Sequence, residues 1–200
     1  MNDTLHFDVQ YPERLNRLTT FFRVLLLIPH MLVLAVLGLV AYIVTVIAWL
    51  AILITGSYPR GLWDFTFSVT RYAGRVSAYY YLMRDEFPPF GGSGDYPVTY
   101  ELAYPEQMSR LTTFFRAILV IPHYIIVYFL QIALSVITFI AWFAILFTGQ
   151  YPRGMFSFAV GVLRWQQRVI AYYALLTDAY PPFSMEAGPA TAHGYATGMA

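Results

Sequence analysis

Residues 24–54 and 117–147 contain no aspartate, glutamate or arginine, and lysine is absent from the whole chain. Each run is longer than the roughly 18 apolar residues that mark a helix able to cross a bilayer. A water-soluble fold could hide two such helices only beneath a large polar shell. Charged residues are 12% of this chain, against about 25% in an ordinary soluble domain, so the material for such a shell is missing. Most of the surface is expected to meet lipid, and the cell membrane is the expected location. The opening residues, MNDTLHFDVQYPER, are polar and partly acidic, unlike the basic-then-apolar start of a cleavable leader.

The second half repeats the first. Tyr11 aligns with Tyr104, and the offset holds without a gap through Phe90 and Phe183 (104 − 11 = 183 − 90 = 93). Such self-similarity marks a duplicated unit. Each copy opens with a short alternating stretch, HFDVQYPER or VTYELAYPEQ. RLTTFFR follows, then the apolar run, then TGSYPRG or TGQYPRG. An aromatic amphipathic stretch comes next, and DEFPPF or DAYPPF closes the unit. The expected division is a first repeat unit at 1–90, a Gly/Pro/Ser linker at 91–99, a second unit at 100–183 and a mobile tail at 184–200.

Pro29 and Pro122 lie a few residues inside the apolar runs, where proline disfavours continuing a helix. A break is therefore expected there. RLTTFFR would form a short surface helix with Arg17, Thr20 and Arg23 toward headgroups and Leu18, Phe21 and Phe22 in lipid. In the aromatic stretch, Asp64, Ser68, Arg71, Arg75 and Tyr79 form one polar stripe, matched by Ser157, Gly161, Arg164, Arg168 and Tyr172. Two arginines at mid-bilayer would cost on the order of 2.5–3.5 kcal/mol each, so an interfacial helix is the expected solution.

Direction is harder to read. One crossing per unit would put six arginines on each side, which leaves the positive-inside rule silent. An apolar run folded into a hairpin, with Gly38 and Gln131 as the only hints of a turn, would put all twelve on one side. The strand-like stretches before each unit could then pair across that face. An even number of crossings per unit is the favoured reading. The fold class expected is an all-α membrane protein of two pseudo-symmetric tandem repeats. Each repeat has a long hydrophobic helix or helical hairpin plus amphipathic interfacial helices, with short strands before it.

The order YPERLNRLTTFFR…IPH…TGSYPRG…RYAGRVSAYYYLMRDEFPPF resembles a prokaryotic family of small membrane proteins, domain-of-unknown-function family 4389. The likeness covers residues 7–183 in two copies. It implies an integral membrane protein without an assigned activity. The second copy departs at Gln107 for Arg14, Ser157 for Asp64 and Thr177 for Arg84.

Chemistry candidates are few. His30 and His123 lack the neighbouring ligands of a metal site, so the expected role is a hydrogen bond to a carbonyl freed near the proline. Asp85 and Asp178 are expected to bond loop amides or pair with an arginine. With no cysteine, thiolate metal sites and cysteine nucleophiles are excluded. No cofactor, metal or catalytic residue is assigned. Nucleic acid is not an expected partner, because the cations are dispersed and the net charge is only +1.

The expected function is non-enzymatic binding of membrane lipid, a partner membrane protein or a second copy. The binding residues would be Arg17, Arg23, His30, Arg60, Arg71, Arg75, Arg110, Arg116, His123, Arg153, Arg164 and Arg168; the guanidinium forks of the arginines among them suit phosphate. A pseudo-symmetric transporter or channel subunit is the alternative, and an enzyme acting on lipid headgroups ranks third.

Overall fold

The structure is a computed structural model and describes residues 4–92 and 94–187. Strand β1 (His6–Val9) is followed by α1 (Arg17–Phe21), α2 (Arg23–Thr55) and α3 (Arg60–Tyr80). The second unit supplies β2 (Val98–Glu101), α4 (Arg110–Leu119), α5 (Ile121–Thr148) and α6 (Arg153–Tyr173). The two strands pair antiparallel with Phe7 opposite Tyr100, so the alternating stretches ahead of the units do meet. Phe7 and Tyr100 are both buried, and full burial of such a ring is worth about 1.5–3 kcal/mol.

Three layers result. The sheet lies on α6 and α3, which pack on each other at the centre. On α3, Gly74 faces β2: a Cβ there would stand 3.1 Å from the Tyr100 ring. Tyr72, Val76 and Tyr79 on the same helix pack on Leu27 of α2. Helix α5 packs on α6 in the same way, α4 runs against α2, and α1 runs against α5.

The units are interlocked through their lead-in segments. Tyr11 donates its hydroxyl to Tyr151 O at 2.7 Å, and Leu15 N donates to Gly149 O at 2.8 Å. In the mirror-image contact, Tyr104 donates to Tyr58 O and Met108 N to Gly56 O at 2.9 Å. The YPE segment of each unit thus docks on the YPRG turn of the other. Gly56 and Gly149 cap α2 and α5 at φ +78° and +74°, the left-handed conformation that glycine adopts without a Cβ clash.

Several sequence expectations need correction. Helix α2 runs unbroken through Pro29, and the break falls earlier, at Phe22. One proline costs a helix a single donor, which this long helix tolerates. In the second unit the break is at Val120, so Pro122 sits in the first turn of α5, where no donor is needed. No turn occurs at Gly38 or Gln131: the first apolar run lies within α2, the second passes from the end of α4 into α5, and neither folds into a hairpin. Thr20 and Arg23 are buried, while Leu18, Phe21 and Phe22 are exposed as anticipated. The polar stripe of the aromatic helices is largely inside: Arg75, Tyr79, Arg164, Arg168 and Tyr172 are buried, because the sheet and the following loops cover it. The segment expected as a mobile tail starts with residues held against α6, since Ser184, Met185 and Glu186 accept hydrogen bonds from its arginines. The remainder of that expected tail, 188–200, lies outside the described residues.

Candidate functional site

The twelve arginines divide into distinct environments. Arg23 reaches from the start of α2 to the end of its unit, donating to Arg84 O and to Asp85 Oδ1, both at 2.6 Å. Its guanidinium also lies 4.0 Å from the Tyr79 ring centre. Arg116 repeats this with Tyr172 O and Thr177 O at 2.8 Å, Asp178 at 2.5 Å and the Tyr172 ring at 4.4 Å. Burial lowers the Arg116 pKa from its usual value, a cost the Asp178 charge opposes. The same carboxylates hold the entrance of their own unit: Asp85 accepts from Asn16 N and Thr19 Oγ1, and Asp178 from Ser109 N and Thr112 Oγ1. They are amide acceptors and ion partners at once.

The central arginines serve the sheet layer. Arg164 donates to Phe7 O at 2.9 Å and Met185 O at 2.8 Å and pairs with Asp8 at 2.8 Å. Arg168 donates to Glu186 O at 2.8 Å and Ser184 O at 3.3 Å, with Leu5 O at 3.5 Å. Arg75 donates to Gly94 O at 2.9 Å and lies near the Tyr96 ring. Arg71 lies over Phe67 at 5.4 Å. Asp8 was not singled out in the sequence; its partner lies 156 residues away, and no local pattern announces such a pair.

The outer arginines sit at helix ends. Arg60 pairs with Asp64 at 3.0 Å and covers the Tyr104 ring at 4.5 Å. Arg153 covers Tyr11 at 4.6 Å and pairs with Glu13 at 3.3 Å. Arg17 donates to Phe147 O at 3.0 Å. Arg110, its counterpart, lies against Gly56.

His30 and His123 are fully buried. Neither bonds a carbonyl, in contrast to expectation. His30 Nδ1 lies 2.6 Å from the Tyr72 hydroxyl, and Phe87 and Phe90 close over the ring at 4.2 and 4.9 Å. Trp165 Nε1 donates to His123 Nδ1 at 3.1 Å, with Phe183 stacked at 4.0 Å. The DEFPPF and DAYPPF strings therefore work as paired lids: the aspartate latches the arginine, and two aromatic rings, Phe87 and Phe90 or Tyr180 and Phe183, cover the histidine. Among the described residues no group of three or more His, Cys, Asp or Glu is placed to hold a metal.

One open cavity of about 390 Å³ lies between α2, α3, α4 and the end of α6. Its walls include Gly38, Ala41, Trp49, Thr70, Phe114 and Ala174.

The large exposed apolar residues are distributed unevenly. Thirty-odd positions from Leu18 to Ile54 and Leu111 to Phe147 lie on or beside α1, α2, α4 and α5, whereas α3 and α6 contribute only Tyr80 and Tyr173 at their ends. Helices α2 and α5 are long and apolar enough to cross a membrane. The profile of a family described as a domain of unknown function, DUF4389, matches residues 17–91 and again residues 110–185. Nothing among curated proteins or solved structures matches the chain.

Proposed function

We propose that this chain, which belongs to the DUF4389 family and carries its domain twice, is a non-enzymatic integral membrane protein that binds lipid from one side of the bilayer. The observation that carries this reading is the segregation of exposed apolar side chains onto the α1, α2, α4 and α5 layer. Such a face far exceeds the apolar patch of a soluble monomer.

One-sided insertion follows from what lies along the central helices. Residues 5–15 run beside α6 from Arg168 to the turn that precedes it, through contacts of Leu5, Phe7, Tyr11, Glu13 and Leu15. This segment carries Asp8, half exposed, and Glu13, 81% exposed. If α6 crossed the bilayer, those charges would cross with it, at a cost on the order of 2.5–3.5 kcal/mol each. Helices α3 and α6 therefore stay with the aqueous layer. Helix α2 is tied to α3 at both ends, by Arg23–Asp85 and Tyr79 on one side and by Ile52 and Tyr58 near Trp63 on the other. It lies along the interface and dips into lipid with its outer face. All twelve arginines then share one side.

The native chain has no thiol, so single cysteines report sidedness cleanly. Ser57→Cys at the end of α2 and Gln150→Cys at the end of α5 are expected to react with an impermeant maleimide from the same side of sealed membranes. Labelling from opposite faces would show that the long helices span.

A further inference from the structure

The two halves obey one pattern of contacts but differ at one place. Position 38 is Gly in the first unit and its partner is Gln131; Ala41 corresponds to Leu134, Thr70 to Leu163 and Ala174 to Tyr81. In the second half the large members of these pairs fill the space. Tyr81 enters it and donates to Gln131 Oε1 at 2.6 Å, and Gln131 Nε2 donates to Gln166 at 2.7 Å. Leu134 and Leu163 are fully buried there. In the first half the small members leave the cavity of about 390 Å³, within the range of ligand sites. Nothing stands within 4 Å of where a Gly38 Cβ would be.

We propose that this slot holds one acyl chain of a membrane phospholipid, with the lipid phosphate on Arg110. The inference rests on the one-sided membrane reading and adds a defined site to it. The wall is mostly apolar; its one cation, Arg116, is already held by Tyr172 O, Thr177 O and Asp178, and its members Tyr42, Val46 and Phe114 are exposed on the lipid-facing layer. Its helix hydroxyls are turned inward: Thr45 donates to Ala41 O at 2.8 Å and Thr70 to Thr66 O at 3.0 Å. They present methyl groups to an occupant and suit a hydrocarbon better than a polar ligand. Thr113 Oγ1 has no partner, yet neither has Thr20 Oγ1 in the filled half, so it does not mark a polar ligand.

Arg110, outside the slot's wall but on the same face of α4, would supply the headgroup contact. Arg110, Thr113, Phe114 and Ala117 follow the i, i+3, i+4, i+7 spacing of one helix face, and the last three line the slot. Arg110 is exposed and, among the described residues, makes no hydrogen bond and no ion pair. It covers Gly56, two turns beyond the wall residue Trp49 on α2, a distance of about 10 Å. The corresponding Arg17 beside the filled site is instead bound to Phe147 O. An open slot with an unbonded arginine on the adjoining helix face, against a filled slot whose matching arginine is bound to Phe147 O, is the difference a lipid site would leave in a duplicated fold.

The test uses the full chain purified in mild detergent, with bound phospholipid counted by phosphate analysis and native mass spectrometry. Wild-type protein is expected to retain one phospholipid per chain. Gly38→Gln with Ala41→Leu, which copies the filled half, is expected to retain at least tenfold less, and Arg110→Gln to lose it on further detergent washing. Arg110 is exposed and unbonded, so that variant keeps the fold even where the double variant does not. Wild-type protein free of phospholipid, or equal retention in all three, overturns the proposal. Flotation with phosphatidylglycerol/phosphatidylethanolamine vesicles separates the two readings. Floating protein that retains no lipid sinks the slot alone; protein that fails to float sinks the membrane reading and the slot with it.

Discussion

Arg23 Nη2 stands 2.6 Å from Asp85 Oδ1 and joins the first turn of the longest helix to the end of its own unit. The arginine side chain is 3% exposed and the aspartate 23%. Arg116 and Asp178 repeat the arrangement at 2.5 Å. Because Asp85 also holds the Asn16 and Thr19 entrance, one ion pair fixes where α1, α2 and the closing loop meet.

Arg23→Ala is expected to destabilise the protein by about 3–5 kcal/mol, the usual cost of leaving one partner of a buried pair uncompensated. Arg116→Ala should cost as much. Denaturant unfolding in detergent, followed by circular dichroism, measures both. Loss below about 1 kcal/mol would show that the latch is an ordinary surface pair.

The interlock between units predicts additive losses. Tyr11→Phe removes the bond to Tyr151 O, and Tyr104→Phe the bond to Tyr58 O. Each should cost about 0.5–1.5 kcal/mol. The sites share no partner, so the double variant should lose the sum to within about 0.5 kcal/mol.

Helix α3 ends in a reversal in which Leu82 N donates to Tyr79 O and Met83 N to Ala78 O. This is the Schellman pattern, with Leu82 at φ +61° where glycine is usual; Leu175 repeats it at +64°. Both leucines are buried, which offsets the conformational cost. Both Leu82→Ala and Leu82→Gly should destabilise through lost packing. The glycine variant should nevertheless be the more stable of the two by about 1 kcal/mol, the reverse of the order within a helix. Paired melting curves decide this.

Burial pushes the Tyr81 and Tyr151 phenols up to about 12. A raised folded-state pKa leaves stability intact below the unfolded value of 10.0 and removes it as pH climbs from there toward about 12, because the unfolded chain ionises first. The last part of the phenolate absorbance, from the buried tyrosines, should therefore appear together with loss of helical circular dichroism across that window. Full ionisation of the tyrosines with the helices intact would contradict it.

Much of the architecture was legible in the residues. The duplication follows from the gapless offset, and the long helices from charge-free runs. The exposed side of RLTTFFR follows from its Leu and Phe pattern. The break at Pro122 was readable because a proline in a first turn is a local signal. Pro29 misled because the cost of one missing donor is small against the rest of a 33-residue helix. The end of α3 was hidden because Tyr-Leu-Met contains no helix-stopping residue; burial of Leu82 holds a conformation that its own preference opposes.

The amino-acid string by itself determined that two copies of one apolar unit had to be built and where each would begin and close, since hydropathy and turn residues act over a few neighbours. Only the tertiary structure decided that each lead-in docks on the other copy, that the arginine stripe turns toward the sheet, and that one of two equivalent spaces stays open. Those outcomes depend on side chains up to 163 residues apart satisfying each other's carbonyls and filling each other's volume, and no local pattern encodes such distances.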